Sequence, residues 1–381
     1  MRKSVIGAAM FAAIMSTSAL HAGTAKQSEF GTLEDGREVS AITLDNGKVT
    51  ATVITYGASL QSLEMPDRNG KRADVALGHD DMKGYIESPN YFGSTVGRFA
   101  NRIAGGRFKL DKRTYQTPTN DGVNSLHGGT AGFDKVLWTV QSMKSGPEAS
   151  VTLRYVSPDG DQGYPGNMTV DAIYSLNDAN ELRIEYRATT DKRTIANITN
   201  HAYWNLGGDG SAEGAMDHVL MIPADSYLPT DKGSIPTGKA QSVKGTAFDF
   251  RTPRAVGDRV RDASEQQLVF AKGYDHNWIV GDKVTTDQHL MAKMYDPASG
   301  RGFELWSNQP GLQFYSGNFL DATFSGKSGQ LYRQGDAIVL EPQIFPDTPN
   351  QQGFPTATLD PGQTYHNVMT YRLSFDNPRK K

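Results

Sequence analysis

A carboxylate placed behind a run of apolar residues is the first place in this sequence where chemistry could sit. Glu341 follows Ala337, Ile338, Val339 and Leu340 and precedes Pro342 and Gln343. An ionised carboxylate is costly to bury alone, so Glu341 is either a functional group at a strand end or half of a hidden ion pair. His201 offers the complementary proton chemistry. It lies in Asn197-Ile198-Thr199-Asn200-His201-Ala202-Tyr203-Trp204-Asn205-Leu206, one imidazole among three amides and two aromatic rings. An unperturbed imidazole titrates near ~6.5 and can give or take a proton at neutral pH. Amides supply paired donors and acceptors, and rings supply a flat apolar surface. Alone, this histidine reads equally well as a satisfied core residue.

Two further clusters add candidate binding groups. Val96-Gly97-Arg98-Phe99-Ala100-Asn101-Arg102-Ile103 sets two guanidinium forks and an amide after Tyr91 and Phe92. Such a fork can clamp hydroxyls or a carboxylate, although surface ion pairs are the commoner use of such arginines. In Asn124-Ser125-Leu126-His127-Gly128-Gly129 the two glycines carry no Cβ to crowd the His127 ring. Gly273-Tyr274-Asp275-His276-Asn277-Trp278 and Pro310-Gly311-Leu312-Gln313-Phe314-Tyr315-Ser316-Gly317-Asn318 mix rings with hydrogen-bonding groups, as a carbohydrate pocket does.

Other chemistries are excluded or poorly supported. The chain has no Cys, which removes disulfides, thiol nucleophiles and thiolate metal sites. There is no Gly-rich phosphate loop, no His-Glu-x-x-His motif and no Gly-x-Ser-x-Gly elbow. The eight His are scattered, so no metal site is expected. No basic stripe appears on a chain of net charge −3, which argues against nucleic acid and anionic membranes as partners.

The elements that must position these residues are strands. Leu182, Ile184, Tyr186 and Ala188 alternate with polar neighbours. Met168, Val170, Ala172 and Tyr174 repeat the pattern, as do Val151, Leu153 and Tyr155, and Tyr371, Leu373 and Phe375. That period is the signature of half-buried antiparallel strands. Turn clusters such as Asp67-Arg68-Asn69-Gly70 and Asp360-Pro361-Gly362 separate them. Helical periodicity is scarce, with one short helix expected within residues 258–270. The expected fold is all-β, a large antiparallel β-sandwich.

Residues 1–22 read as a signal peptide: Arg2 and Lys3, an apolar stretch too short to span a bilayer, and small residues up to Ala22. Export to a periplasm or the medium follows, with no membrane attachment after cleavage. No linker divides residues 27–378, which read as one domain.

Taken in order, the motifs resemble those of the aldose 1-epimerase (galactose mutarotase) family. The series runs from Tyr56-Gly57-Ala58 and Met65-Pro66-Asp67-Arg68-Asn69-Gly70-Lys71 through Leu77-Gly78-His79-Asp80-Asp81 to the clusters above and ends at Glu341-Pro342-Gln343. The resemblance implies a supersandwich with the sugar in an open cleft. It implies Glu341 as catalytic base and His201 as catalytic acid, with Asn101, Arg102, His127, Asp275 and Gln313 holding the sugar and Tyr203 as a further contact. It implies interconversion of the anomers of a free aldohexose such as glucose or galactose, without cofactor, by a monomer or homodimer. Trp204 and Trp278 stand where Phe is common in the family and His79 where Phe is usual, positions that bear on substrate preference. Reference pKa values would leave Glu341 ionised (~4.3) and His201 available as the acid. The rival readings are a hexose-6-phosphate mutarotase, a non-catalytic sugar-binding protein, and a glycoside hydrolase or lyase using Asp275 as a second carboxylate.

Overall fold

Period-two patterning produces strands where it is expected. The structure, a computed structural model, describes residues 22–88 and 90–375; residues 1–21, which hold nearly all of the expected signal peptide, and residues 376–378 of the expected domain lie outside them. In Glu181–Thr190, Leu182, Ile184, Tyr186 and Ala188 are buried and Arg187 and Thr189 are exposed. Glu185 breaks the alternation by being buried; Arg183 and Arg187 compensate its charge, and His366 Nε2 lies 2.9 Å from its Oε1.

This strand lies in a nine-stranded antiparallel sheet. On one side of it run Met168–Asn177, Glu148–Ser157 and Thr139–Lys144 as successive neighbours. On the other, Tyr365–Ser374 slots between Glu181–Thr190 and Gly302–Ser307, so the last strand among the described residues completes the middle of the sheet. A five-stranded meander runs from Thr24–Thr32 to Arg72–Asp74. One hydrophobic core joins both to a third sheet, through Ile42 and Leu60, Val151, Ile184 and Met369, and Phe314 and Leu340. The antiparallel sandwich architecture is thus observed. Helices are marginal. The expected helix at 258–270 shrinks to Gln266–Ala271, capped by the Glu265 carboxylate, because turns occupy the preceding residues. A second short helix, Met82–Glu87, starts at Asp81, whose carboxylate accepts from the Gly84 N–H at 2.8 Å; it has no counterpart in the sequence expectation.

The third sheet has six strands, in the order Tyr203–Trp204, Ile338–Gln343, Gly311–Tyr315, Asp275–Ile279, Ser226–Leu228 and Gln241–Ser242. Directly paired residues of an antiparallel ladder point to the same side. Glu341 pairs with Gln313, which pairs with Asn277; Tyr203 pairs with Val339, Val339 with Tyr315, and Tyr315 with Asp275. Tyr203, Asp275, Gln313, Tyr315 and Glu341 therefore share one face. Trp204, Trp278, Leu312, Phe314 and Leu340 occupy the other, fully buried in the core.

Candidate active site

The polar face of the six-stranded sheet forms the floor of a cavity of about 170 Å³. Glu341, Asp275, Tyr203 and Tyr315 line it from the sheet. His201, from the connection between Thr199–Asn200 and Tyr203–Trp204, lines it too, as do Asn101 and His127 from two loops and Arg102 from the short strand Arg102–Ile103. All the expected site residues meet here except Gln313, which lies beneath the wall. Its amide donates to Asp275 Oδ1 at 2.7 Å.

The loop geometry is built by backbone. Asn101 and His127 both adopt positive φ, 63° and 51°, the left-handed region that Asn tolerates better than most residues. Their backbones are tied together: Asn101 N–H donates to His127 Nδ1 at 3.1 Å, and His127 N–H donates to Asn101 O at 3.1 Å. Gly128 does more than leave the imidazole uncrowded. Its φ is 93°, and a Cβ there would stand 1.9 Å from Gly97 O, so glycine is required for the loop to reach the neighbouring backbone. His201 is pinned from both sides, its N–H donating to Ser94 O at 2.9 Å and its carbonyl accepting from Gly93 N–H at 3.1 Å.

The electrostatics follow from burial. Arg102 is gripped by Asp121 (Nε to Oδ2, 2.7 Å) and Asp275 (Nη1 to Oδ2, 3.5 Å). Burial opposes its charge, but these two carboxylates outweigh it and hold it cationic. Because His127 Nδ1 accepts a backbone hydrogen bond, its ring proton sits on Nε2; burial, His201 and Arg102 push its pKa well below the usual value. Burial pushes His201 down to about 4. Burial and then the charge of Asp275 raise Glu341 well above the carboxylate range, against the pull of Arg102. Both shifts favour the uncharged forms of the pair, a protonated Glu341 and a neutral His201. The two face each other, His201 Nε2 to Glu341 Oε1, at 3.8 Å. His201 Nδ1, Glu341 Oε2 and Gln313 Oε1 are buried with no protein partner. Buried orphans are rare in folded proteins, and a polyhydroxylated ligand would satisfy them.

His127, His201 and Glu341 bring one ligand atom each within 4.8 Å of one another. The tautomer of His127 makes this a poor metal triad, since its Nε2 carries a proton where a metal needs a lone pair.

Several sequence candidates lie elsewhere. Arg98 is fully buried and donates to the carbonyls of Ser157, Pro158, Pro165 and Gly166; it braces backbone rather than clamping a ligand. The amides of Asn197, Asn200 and Asn205 likewise bind the carbonyls of Ala100, Gly93 and Asp336. Trp204 packs on Phe303 and Tyr371, and Trp278 donates to Phe248 O, on the side of the sheet away from the cavity. His79 sits among the rings of Tyr85, Phe92 and Tyr332, also outside it. Conversely, Asp121 and Phe319 carried no sequence signal. Tyr91 was noted only as a neighbour, yet its ring packs on both His127 and His201.

The model of the family described as aldose 1-epimerase matches residues 40–372. The chain belongs to the aldose 1-epimerase family. Its relatives include the galactose mutarotase of Bos taurus, 42% identical over 91% of this chain and 97% of that one. The aldose 1-epimerase of Escherichia coli K12 is 36% identical over 89% and 96%. Among solved structures, a galactose 1-epimerase from Lactobacillus acidophilus superposes with a TM-score of 0.81 at 30% identity, covering 92% of this chain and 98% of that one. An aldose epimerase homologue from C. elegans gives 0.79 at 31% over 93% and 100%. The supersandwich expected from the sequence is the fold of this family. Among the described residues no helix is long and apolar enough to cross a membrane.

Proposed function

We propose that this chain is a mutarotase that interconverts the α and β anomers of free aldohexoses such as glucose and galactose, with Glu341 as base and His201 as acid. The observation that carries the reading is the His201–Glu341 pair, 3.8 Å apart at the buried end of a one-ring cavity. Opening a cyclic hemiacetal requires the C1 hydroxyl proton to leave while the ring oxygen gains one. One carboxylate and one imidazolium supply that exchange, and each acid–base partner typically contributes about 10²–10⁴-fold. The pair carries a single proton in its resting form. In the working form that proton is on His201 and Glu341 is the carboxylate favoured by Arg102. After ring opening, rotation about C1–C2 presents the other face of the aldehyde, and closure runs the transfers in reverse. Arg102, Asp275 and the Nε2–H of His127 bind hydroxyls and polarise the sugar's oxygens; Asn101 and Tyr203 complete the wall. Gln313 acts through Asp275, which it orients. These groups suffice for the reaction without a cofactor.

The rivals are weaker on this geometry. Arg102 is the cation lining the cavity and is already balanced by Asp121 and Asp275, so a phosphate would meet no free positive charge. Asp275 and Glu341 share one sheet face across the intervening strand Gly311–Tyr315, and Asp275 is engaged by Gln313 and Arg102; a hydrolase needs both carboxyls free to flank the bond. Pure binding has no need of the His201–Glu341 pair. The core shared by all three sheets supports the single-domain reading of residues 27–378. The basic start and apolar run of residues 1–22 support export, which amino-terminal sequencing of the mature protein tests. The activity is tested by following optical rotation of freshly dissolved α-D-glucose and α-D-galactose. The protein accelerates the change and His201→Ala does not; no acceleration of either sugar by the native chain rejects the reading.

A further inference from the structure

His201 is held without the hydrogen bond that usually orients a catalytic imidazole. A partner on the second ring nitrogen normally fixes the tautomer and the ring plane. Here Nδ1 is buried with no hydrogen-bond partner in another described residue, while Nε2 faces Glu341. Rings surround it instead. The centroids of Tyr203, His127, Tyr91 and Tyr315 lie 5.1, 5.2, 5.7 and 6.4 Å from its own. Tyr203 and Tyr315 stand on the sheet face, and His127 comes from the loop closed by Gly128. Tyr91 comes from elsewhere, the connection between Met82–Glu87 and Thr95–Val96, and its ring meets that of His127 at 4.7 Å and 64°.

Tyr91 is placed there at a cost. Its φ is 57°, left-handed backbone that a bulky residue rarely adopts, and such strain persists where the surroundings fix it. Its ring also divides two cavities. One is the cavity that holds Glu341 and His201. The other, about 20 Å³ and lined by Asp134, Tyr56 and Ser94, lies on the far side of Tyr91 and has room for about one water. Burial, and then the charges of Asp134 and Asp121, raise the Tyr91 pKa, so the residue acts as a neutral ring rather than as a base. In the working form His201 is a cation in a site that disfavours charge. A cation within about 6 Å of an aromatic centroid is attracted by the ring, and Tyr91 and Tyr203 both meet that distance. We propose that Tyr91 is a positioning residue for the acid: with Tyr203 and Tyr315 it cages the His201 imidazole, fixing its plane, keeping water from it and stabilising its protonated form. This deepens the mutarotase reading above and rests on it.

Two substitutions separate the ring from the backbone that carries it. Tyr91→Phe keeps the ring. Tyr91→Asn removes it, and Asn suits the left-handed backbone, so the variant is expected to fold with an undiminished melting temperature. By polarimetry on α-D-galactose, Tyr91→Phe is expected to keep kcat within about twofold and Tyr91→Asn to lower it about tenfold, with KM moving less. The acid limb of kcat/KM adds a second reading. Burial is the first cause of the low His201 value of about 4, so water admitted by Tyr91→Asn moves the limb up toward the ordinary ~6.5, and Tyr91→Phe leaves it in place. Glu341, His127, Tyr203 and Tyr315, which also face His201, and Arg102 and Asp275 across the cavity are the same in both variants. Native kcat and a native acid limb in Tyr91→Asn overturn the cage and leave the mutarotase reading standing. So does a loss in Tyr91→Asn with the acid limb unmoved, or a Tyr91→Phe as impaired as Tyr91→Asn. No acceleration by the native chain overturns both.

Discussion

Burial moves Glu341 up and His201 down from their ordinary values. Replacing Glu341 with Gln keeps the shape and hydrogen-bonding reach but removes the base. We expect kcat to fall by about 10²–10⁴-fold with KM little changed, read by polarimetry on α-D-galactose; full activity in Glu341→Gln would reject the role. The same pair sets the pH profile. His201 is pulled down to about 4 by burial, so the pair gains a second proton, and loses its base, only as pH falls toward that value. Glu341 is raised by burial and by Asp275, so the pair keeps its single proton up past the ordinary carboxylate range. The expected kcat/KM profile is a plateau through neutral pH with an acid limb near 4 rather than near the ordinary histidine value of ~6.5. An acid limb at 6.5 would show that His201 is solvated in the free enzyme.

At the scale of the element, register and loop closure place the chemistry. A slip of one residue in Ile338–Gln343 would turn Glu341 into the core and Leu340 into the cavity, and the adjacent ladder to Gly311–Tyr315 is what prevents it. The loop that carries His127 depends on Gly128. Gly128→Ala would force a Cβ to within 1.9 Å of Gly97 O at a φ of 93°, and we expect it to lose more than about 1 kcal/mol of stability, visible in urea unfolding. Activity should fall with it, because Gly97 lies four residues before Asn101. An unchanged unfolding midpoint would mean that the loop has another way to close. Arg98 and Arg102 show how little residue type says at this scale. They share one short motif, yet Arg98 holds up a loop through four carbonyls and Arg102 faces the cavity between two carboxylates.

At the scale of the whole molecule, the buried histidines tie stability to pH. His127, His218 and His276 each accept a backbone N–H, from Asn101, Leu206 and Asp275, and protonation would set donor against donor. Burial lowers His218 to about 4 and His276 to about 3, as it does His201. Each folded value lies below the unfolded ~6.5, so each contribution is full above that pH and is lost as pH falls toward 4. Asp134, raised by burial to about 7, and Glu341 act in the opposite sense, their contribution being lost as pH rises through their folded values. The histidines are more numerous, so the melting temperature is expected to drop between pH 6.5 and pH 4. A flat profile across that window would show that these imidazoles are not held neutral.

Much of the architecture was legible in one dimension. Alternation marked Met168–Asn177 and Glu181–Thr190, and the apolar run before Glu341 announced a carboxylate that burial would have to justify. The ordered motifs named the residues that meet in the cavity. What could not be read were fates that depend on distant partners: the pairing of Asp121 with Arg102, the bracing roles of Asn197, Asn200 and Asn205, the exposure of Phe319, and the core side of the sheet taken by Trp204 and Trp278. The protonation of the pair belongs with these. The sequence by itself determined which residues alternate, where the chain turns and which groups can carry protons, because those depend on side chains and near neighbours. Only the tertiary structure decided which groups meet and in what charge state. Asp275, Gln313 and Glu341 come from different strands, and desolvation, which moves the proton of Glu341, exists only once those strands have paired.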